Sequence, residues 1–157
     1  MRGLFAVLLV VLVGACAPGA TQQPHGDETT AIQEAVFRYQ FGHNASSLQQ
    51  SADYYCLGIK DGKDPPQELM ERFTGHLPVV VPVSECGADV ELGVSRGSTS
   101  GRGLIFTVGD IKWVSVTEVE VAGGYYEGGL SASGNVYRLK RVDGGWKVIE
   151  DGMEWIS

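Results

Sequence analysis

The chain has 157 residues, 43% of them hydrophobic and 20% charged, with a formal net charge of −7. That is room for one domain with a real core, and it excludes both a disordered chain and two comfortable domains. The acidic balance argues against nucleic acid as a partner and against polybasic attraction to anionic lipid, so any membrane attachment has to come from another source.

The chain opens with Arg2 and then an unbroken apolar run over residues 4–13. A bilayer core needs about twenty helical residues, so this run is too short for a permanent span and fits the core of a secretory signal. Gly14 and Ala15 follow, then Cys16. Val13-Gly14-Ala15-Cys16 resembles the bacterial lipobox: a branched aliphatic residue, two small residues and a cysteine. The resemblance implies a signal peptide over residues 1–15, cleavage before Cys16, and lipidation of its thiol with acyl chains such as palmitate. Two or more chains anchor a protein stably. The plainer reading is an ordinary signal peptide cut elsewhere, with Cys16 incidental. Residues 16–26 are rich in Pro, Gly and Gln and read as a flexible spacer, leaving residues 27–157 as the domain. The implied location is the cell envelope, and Ala17 in place of Asp after the cysteine points to the outer membrane if the host is Gram-negative.

Residues 27–41 predict a first helix. Ile32, Ala35, Val36, Tyr39 and His43 follow one helical face, Thr30 and Gln33 have capping-box spacing with Asp27 as an earlier cap, and Gly42 ends the helix. Residues 44–47 are turn-like. Residues 53–59 carry the aromatics of a short strand. Asp61-Gly62-Lys63 reads as a turn, Asp64 as the cap of a second helix with Pro65 at its first position, and Gly75 as its stop. Leu69, Met70 and Phe73 form the apolar face of that helix. Residues 79–83 look extended, and Pro82 restricts them to a sheet edge.

Cys56 and Cys86 are the thiols left once Cys16 is acylated. An even pair in an exported chain favours a disulfide, against two buried free thiols or, with no Cys or His at ligand spacing, a metal pair. Residues 87–102 read as a strand fragment and a loop. The run 97–103 is Gly-rich but lacks a P-loop lysine, so it reads as a mobile loop.

From Gly103 onward the pattern is all β. Residues 104–108 and 111–116 are apolar and β-branched, and 117–121 alternate strictly. Gly123-Gly124 and Gly128-Gly129 suggest bulges in a bent strand. Asp143-Gly144 marks a hairpin between residues 135–141 and 146–150, and residues 153–156 form a last strand segment.

The ending, residues 134–141, a turn, and Gly145-Trp146-Lys147-Val148-Ile149, resembles the last two strands of the NTF2-like (cystatin-like, SnoaL-like) superfamily. That resemblance covers residues 28–157. It implies an α+β fold in which a curved, mostly antiparallel sheet wraps the N-terminal helix to make a cone with an apolar mouth. It also leaves open a homodimer through the outer face of the sheet. Composition agrees, since helices gathered against one antiparallel sheet make an α+β domain.

Enzymes of that superfamily use Asp, His or Tyr inside the cone as acid–base groups. The candidate pocket residues are therefore Tyr39, His43, Asp53, Tyr54 and Tyr137, with Tyr125 and Tyr126 beside them in the sheet. Each has a structural explanation as a packed aromatic, a rim residue or a strand lead-in. His25, His43 and His76 are scattered and predict no metal site. No nucleophile elbow, P-loop or dinucleotide fingerprint is present, and no cofactor is expected. The leading expectation is a membrane-anchored, non-enzymatic envelope lipoprotein that binds a small apolar ligand or another envelope protein. The alternatives are an exported acid–base enzyme, isomerase or hydrolase-like, and an assembly role.

Overall fold

The computed structural model describes residues 25–49, 51–89 and 91–157. Cys16, the segment expected to be a signal peptide and nearly all of the expected spacer lie outside the described residues. No helix among the described residues is long and apolar enough to cross a membrane.

The domain is α+β. Helix α1 (His25–Gly42) is followed by β1 (Tyr54–Ile59), the short α2 (Gln67–Glu71), β2 (Val79–Pro82), β3 (Cys86–Asp89), β4 (Gly93–Arg96), and four long strands. These are β5 (Thr99–Ser115), β6 (Glu118–Gly128), β7 (Ser131–Val142) and β8 (Gly145–Ile156). All eight strands form one open, curved sheet with the path β2-β1-β5-β6-β7-β8, and β3 and β4 branch from β5. The long strands pair antiparallel, while β1 runs parallel to both β2 and β5. Asp143 and Gly144, both at positive φ, make the two-residue turn between β7 and β8, as the Asp-Gly pair predicts. β2, with Pro82 as its last residue, lies at the sheet edge, where a missing N–H is tolerated.

α1 fills the concave side of the sheet. Ile32, Val36, Phe37 and Phe41 pack against Leu57, Leu104, Phe106, Val121 and Leu139. The buried face is Ile32, Gln33, Val36, Phe37, Gln40 and Phe41, whereas Ala35 and Tyr39 are half-buried and His43 is exposed. The stripe expected through Ala35, Tyr39 and His43 is thus rotated by roughly a quarter turn at 100° per residue. Two phenylalanine rings gain more from burial than a tyrosine and a histidine do, and they take the core side.

Several local expectations change. The helix begins at His25, so Thr30 and Gln33 are interior and buried, with no capping box. Asn44 finishes α1 instead: its Nδ2 donates to Gln40 O (2.7 Å) and its Oδ1 accepts from Ser46 N (2.9 Å). Asp64 does not cap α2, whose N-cap is Pro66; it accepts Ser84 N and Oγ at 2.8 and 2.6 Å. Residues 99–103 belong to β5 and are not a loop. Gly123 and Gly124 pair in regular register with Asn135 and Gly134, so they are not bulged. They are sites of close approach: a Cβ on Gly124 would lie 2.0 Å from Ser133 O. The register shifts near them fall between Val108 and Ile111 of β5 and between Tyr126 and Gly128 of β6.

Cys56 and Cys86 form a disulfide with Cα atoms 6.4 Å apart. It ties the buried centre of β1 to the start of β3, on the face of the sheet opposite α1. There a second cluster gathers Tyr54, Cys56, Val81 and Val94.

Candidate functional site

Where α1 ends, the core leaves a cleft of about 310 Å³ between the helix and strands β6, β7 and β8. Its floor is buried: Gln40 from the helix, Tyr125 from β6, and Ser133, Asn135 and Tyr137 from β7. Its rim is exposed, with His43, Ala45, Asp151 and Met153. The volume is at the small end of the range for ligand sites.

Inward-facing residues of β7 alternate as Ser133, Asn135, Tyr137 and Leu139. Their partners on β8 are less regular. Leu139 pairs with Val148, but Tyr137 pairs with Asp151 and Asn135 with Met153. One extra residue, Ile149, is accommodated between Glu150 and Val148, so the inward positions change from even (Trp146, Val148) to odd (Asp151, Met153). Glu150 therefore turns out and pairs with Arg138 at 3.0 Å, and Asp151 turns into the cleft.

The cleft's polar groups form a connected chain. Ser133 Oγ donates to Asn135 Oδ1 (2.7 Å), which orients the Asn135 amide so that Nδ2 donates to Asp151 Oδ1 (2.6 Å). Burial and the influence of the same Asp151 carboxylate push the Tyr39 phenol above its ordinary pKa. Burial raises Tyr137 much further, against a smaller opposing effect of the bond from Gln40, so both phenols stay protonated. Asp151 makes no ion pair with any described residue.

Gln40 is 1% exposed. Its Nε2 donates to Thr107 O (3.0 Å), Gly124 O (3.3 Å) and the Tyr137 hydroxyl (3.3 Å). The two carbonyls can only accept, which fixes the amide orientation. Oε1 is left buried with no partner. Such an orphan is uncommon in a packed interior and calls for an explanation.

Three of the five expected pocket residues meet here. Tyr39 stacks on His43 (4.1 Å between ring centroids, 5° between planes) and meets Tyr137 edge-on at 5.8 Å. His43 Nδ1 lies 3.0 Å from Tyr39 O, and since a carbonyl only accepts, that nitrogen carries the proton. Asp53 and Tyr54 are elsewhere. Asp53 Oδ2 accepts Arg102 N at 2.7 Å. Tyr54 faces the opposite side of β1 from Tyr55, because successive strand residues alternate, and its hydroxyl donates to Val94 O and Gly101 O. Tyr126 is also on that far side, against the second cluster, while Tyr125 lines the cleft. Gln40, Ser133, Asn135 and Asp151 are additions that sequence reasoning missed. The mouth expected to be apolar carries a polar floor.

Two clefts among the described residues are slightly larger. One, about 350 Å³, lies beside Leu92, Leu130 and Glu127. The Glu127 carboxylate there is already held by the hydroxyls of Ser46 (2.6 Å), Ser131 (2.9 Å) and Ser47 (3.0 Å). The other, about 360 Å³, includes Gly109, Gly124 and Gly134 with the Trp155 ring, and Trp155 itself covers Gly134. Neither has a buried polar atom without a partner.

No protein-family model, curated protein or solved structure matches the chain.

Proposed function

We propose that this protein is an envelope lipoprotein, held at a membrane through acylated Cys16, whose domain binds a small ligand in the cleft at the end of α1. The observation that carries the binding reading is the cleft of about 310 Å³ itself, whose polar groups Ser133, Asn135 and Asp151 are held in a connected chain of hydrogen bonds. The Asp151 carboxylate, at the exposed rim of that cleft, can accept an N–H or O–H from a ligand entering it. The ligand is small and carries at least one donor, which departs from the purely apolar ligand expected of an apolar cone. The NTF2-like resemblance supports the same place, since it puts the site inside the curve of the sheet.

An NMR titration of the full chain with a set of small fragments tests the binding reading. Shifts should concentrate on Asn44, Asn135, Tyr137 and Asp151; a set that leaves those resonances unmoved removes it. The anchor is tested separately. Mass spectrometry of the mature N-terminus should find diacylglyceryl on Cys16, and Cys16→Ser should release the protein from membranes.

A second reading, an acid–base enzyme, is favoured by Asp151 and the Tyr39 phenol, which that carboxylate influences, meeting at an accessible cleft. Asp151 would take the proton and a phenol would donate one. Such a catalyst should accelerate deuterium exchange beside the carbonyl of a small ketone, and Asp151→Asn should abolish that acceleration. Exchange no faster than in buffer would remove this reading.

A further inference from the structure

Resting on the anchoring reading above, we infer that the end of the sheet made by the β5–β6 tip and the β7–β8 turn lies on the membrane, with Trp113, Val114 and Val116 entering the lipid interface and Lys140 and Lys147 meeting anionic headgroups.

The tether starts beside that end. Glu28, in the first turn of α1, pairs with Arg141 near the end of β7. Arg141 N donates to Thr117 O in the β5–β6 turn (2.9 Å), and the Arg141 guanidinium stands 5.2 Å over the Trp146 ring. Trp146 in turn meets Trp113 edge-on at 5.6 Å. Contacts thus run unbroken from the start of the helix to the tip. Cys16 precedes His25, where α1 begins, by nine residues. An acylated Cys16 therefore holds the helix start within about 30 Å of the bilayer even if the connecting chain is fully extended.

The tip itself is apolar and open. Trp113, Val114 and Val116 are 38%, 51% and 83% exposed. They gather at the end of one hairpin rather than along a sheet face, so whatever covers them meets the sheet end-on. A lipid interface does this, and it takes Trp readily because the ring is apolar and its N–H is not.

The charge beside the tip is opposite to that of the chain. The protein carries −7 overall, yet residues 138–147 hold four of its 12 Lys and Arg and a single acid, Asp143. Arg138 and Arg141 are matched by Glu150 and Glu28. Lys140 and Lys147 are exposed cross-strand partners, and the ion pair made there is a long one, 3.8 Å from Lys147 to Asp143. Two like charges opposed across a ladder are unfavourable, and a lipid phosphate between them relieves this.

The test places the lipid-bearing full chain in phosphatidylglycerol vesicles whose acyl chains carry bromine, which quenches tryptophan on contact. The chain has three tryptophans. Trp155 lies nine residues beyond Trp146 on β8, about 30 Å away, and is the control at the opposite end. The Trp155→Phe chain, in which Trp113 and Trp146 report, should lose most of its emission relative to vesicles without bromine, and less in phosphatidylcholine. Adding Val116→Asp, in an exposed turn, should reverse much of that loss. A second measurement needs no change to the domain: hydrogen exchange at residues 114–117 should be slower in vesicles than in the Cys16→Ser chain in buffer, while residues 129–130 at the far end are unaffected. Undiminished emission of the Trp155→Phe chain, or unchanged exchange at the tip, overturns the inference. So does protection of the tip from aqueous acrylamide without quenching by bromine, which would put a second copy of the chain there. With lipid found on Cys16 by mass spectrometry, each of these failures leaves the anchoring reading standing. A Cys16 without lipid removes that reading and the inference with it.

Discussion

Asn135 Nδ2 donates to Asp151 Oδ1 over 2.6 Å, tying β7 to β8 where β8 carries its extra residues. Asn135 also accepts from Ser133 Oγ, so one side chain serves two partners. Asn135→Ala should lower stability by about 1–3 kcal/mol, because the buried Ser133 hydroxyl loses its acceptor and Asp151 loses a donor. Urea denaturation followed by circular dichroism reads this directly, and an unchanged midpoint would contradict the role given to the chain.

Gln40→Met keeps the shape of the helix face and removes the amide. Thr107 O and Gly124 O each lose a donor, while the orphaned Oε1 disappears with it. The expected loss is therefore modest, about 1–2 kcal/mol, at the lower end for buried hydrogen bonds. The same denaturation experiment measures it, and a loss above about 4 kcal/mol would mean the helix face had collapsed.

The disulfide closes a loop of 30 residues between Cys56 and Cys86. In the chain-entropy account a loop of that size contributes about 3–4 kcal/mol. Cys56→Ser with Cys86→Ser should lose about that much, seen as a lower thermal midpoint. A thiol assay on the denatured, unreduced protein should find neither cysteine reactive.

Gly103 is required by close approach. A Cβ there would lie 2.1 Å from the Tyr54 ring, which is 3% exposed and held by two hydrogen bonds. Gly103→Ala should destabilise by about 1–3 kcal/mol, the usual range for an overpacked core. Gly144→Asn provides a contrast, since that glycine sits at positive φ in an open turn and Asn tolerates the geometry at little loss.

Glu127 should give the fold an acid-sensitive component. Burial pushes its carboxyl pKa up, but the hydroxyls of Ser46, Ser131 and Ser47 and the Ser47 backbone N–H outweigh this and hold it below the usual value. A depressed folded pKa means the carboxylate's contribution is fully present above the unfolded value, about 4.3, and is lost as pH falls through the folded value. Denaturation at pH 7 should separate the unaltered chain from Glu127→Gln by more than at pH 3, because protonation of Glu127 removes the contribution as the pH falls. An equal gap at the two pH values would rule this out.

What was legible in the sequence was local. Short-range chemistry marked the Asp143-Gly144 turn, the strand at Tyr54–Ile59 and the edge position of Pro82, because each depends on the residue's own backbone preferences, whereas α2 ends at Glu71, before Phe73 and the stop expected at Gly75. The α+β class followed from the order of such segments, and the pairing of Cys56 with Cys86 from their even number in a chain read as exported. The errors at Thr30 and Asp64 were also local: both residue types suit a cap, but Thr30 lies inside α1 and Asp64 accepts from Ser84.

The site was decided by tertiary structure. Strict alternation along β8 from Trp146 would turn Glu150 inward and Asp151 outward; the added residue at Ile149 reverses this, and no local signal announces it. Likewise, Tyr39 and Gln40 are adjacent on α1, and which of them points at the sheet depends on how Phe37 and Phe41 seat among the core strands. Periodicity shows that a face exists, but which residues face the core is set by how the strands and helix fit together once their largest side chains are buried.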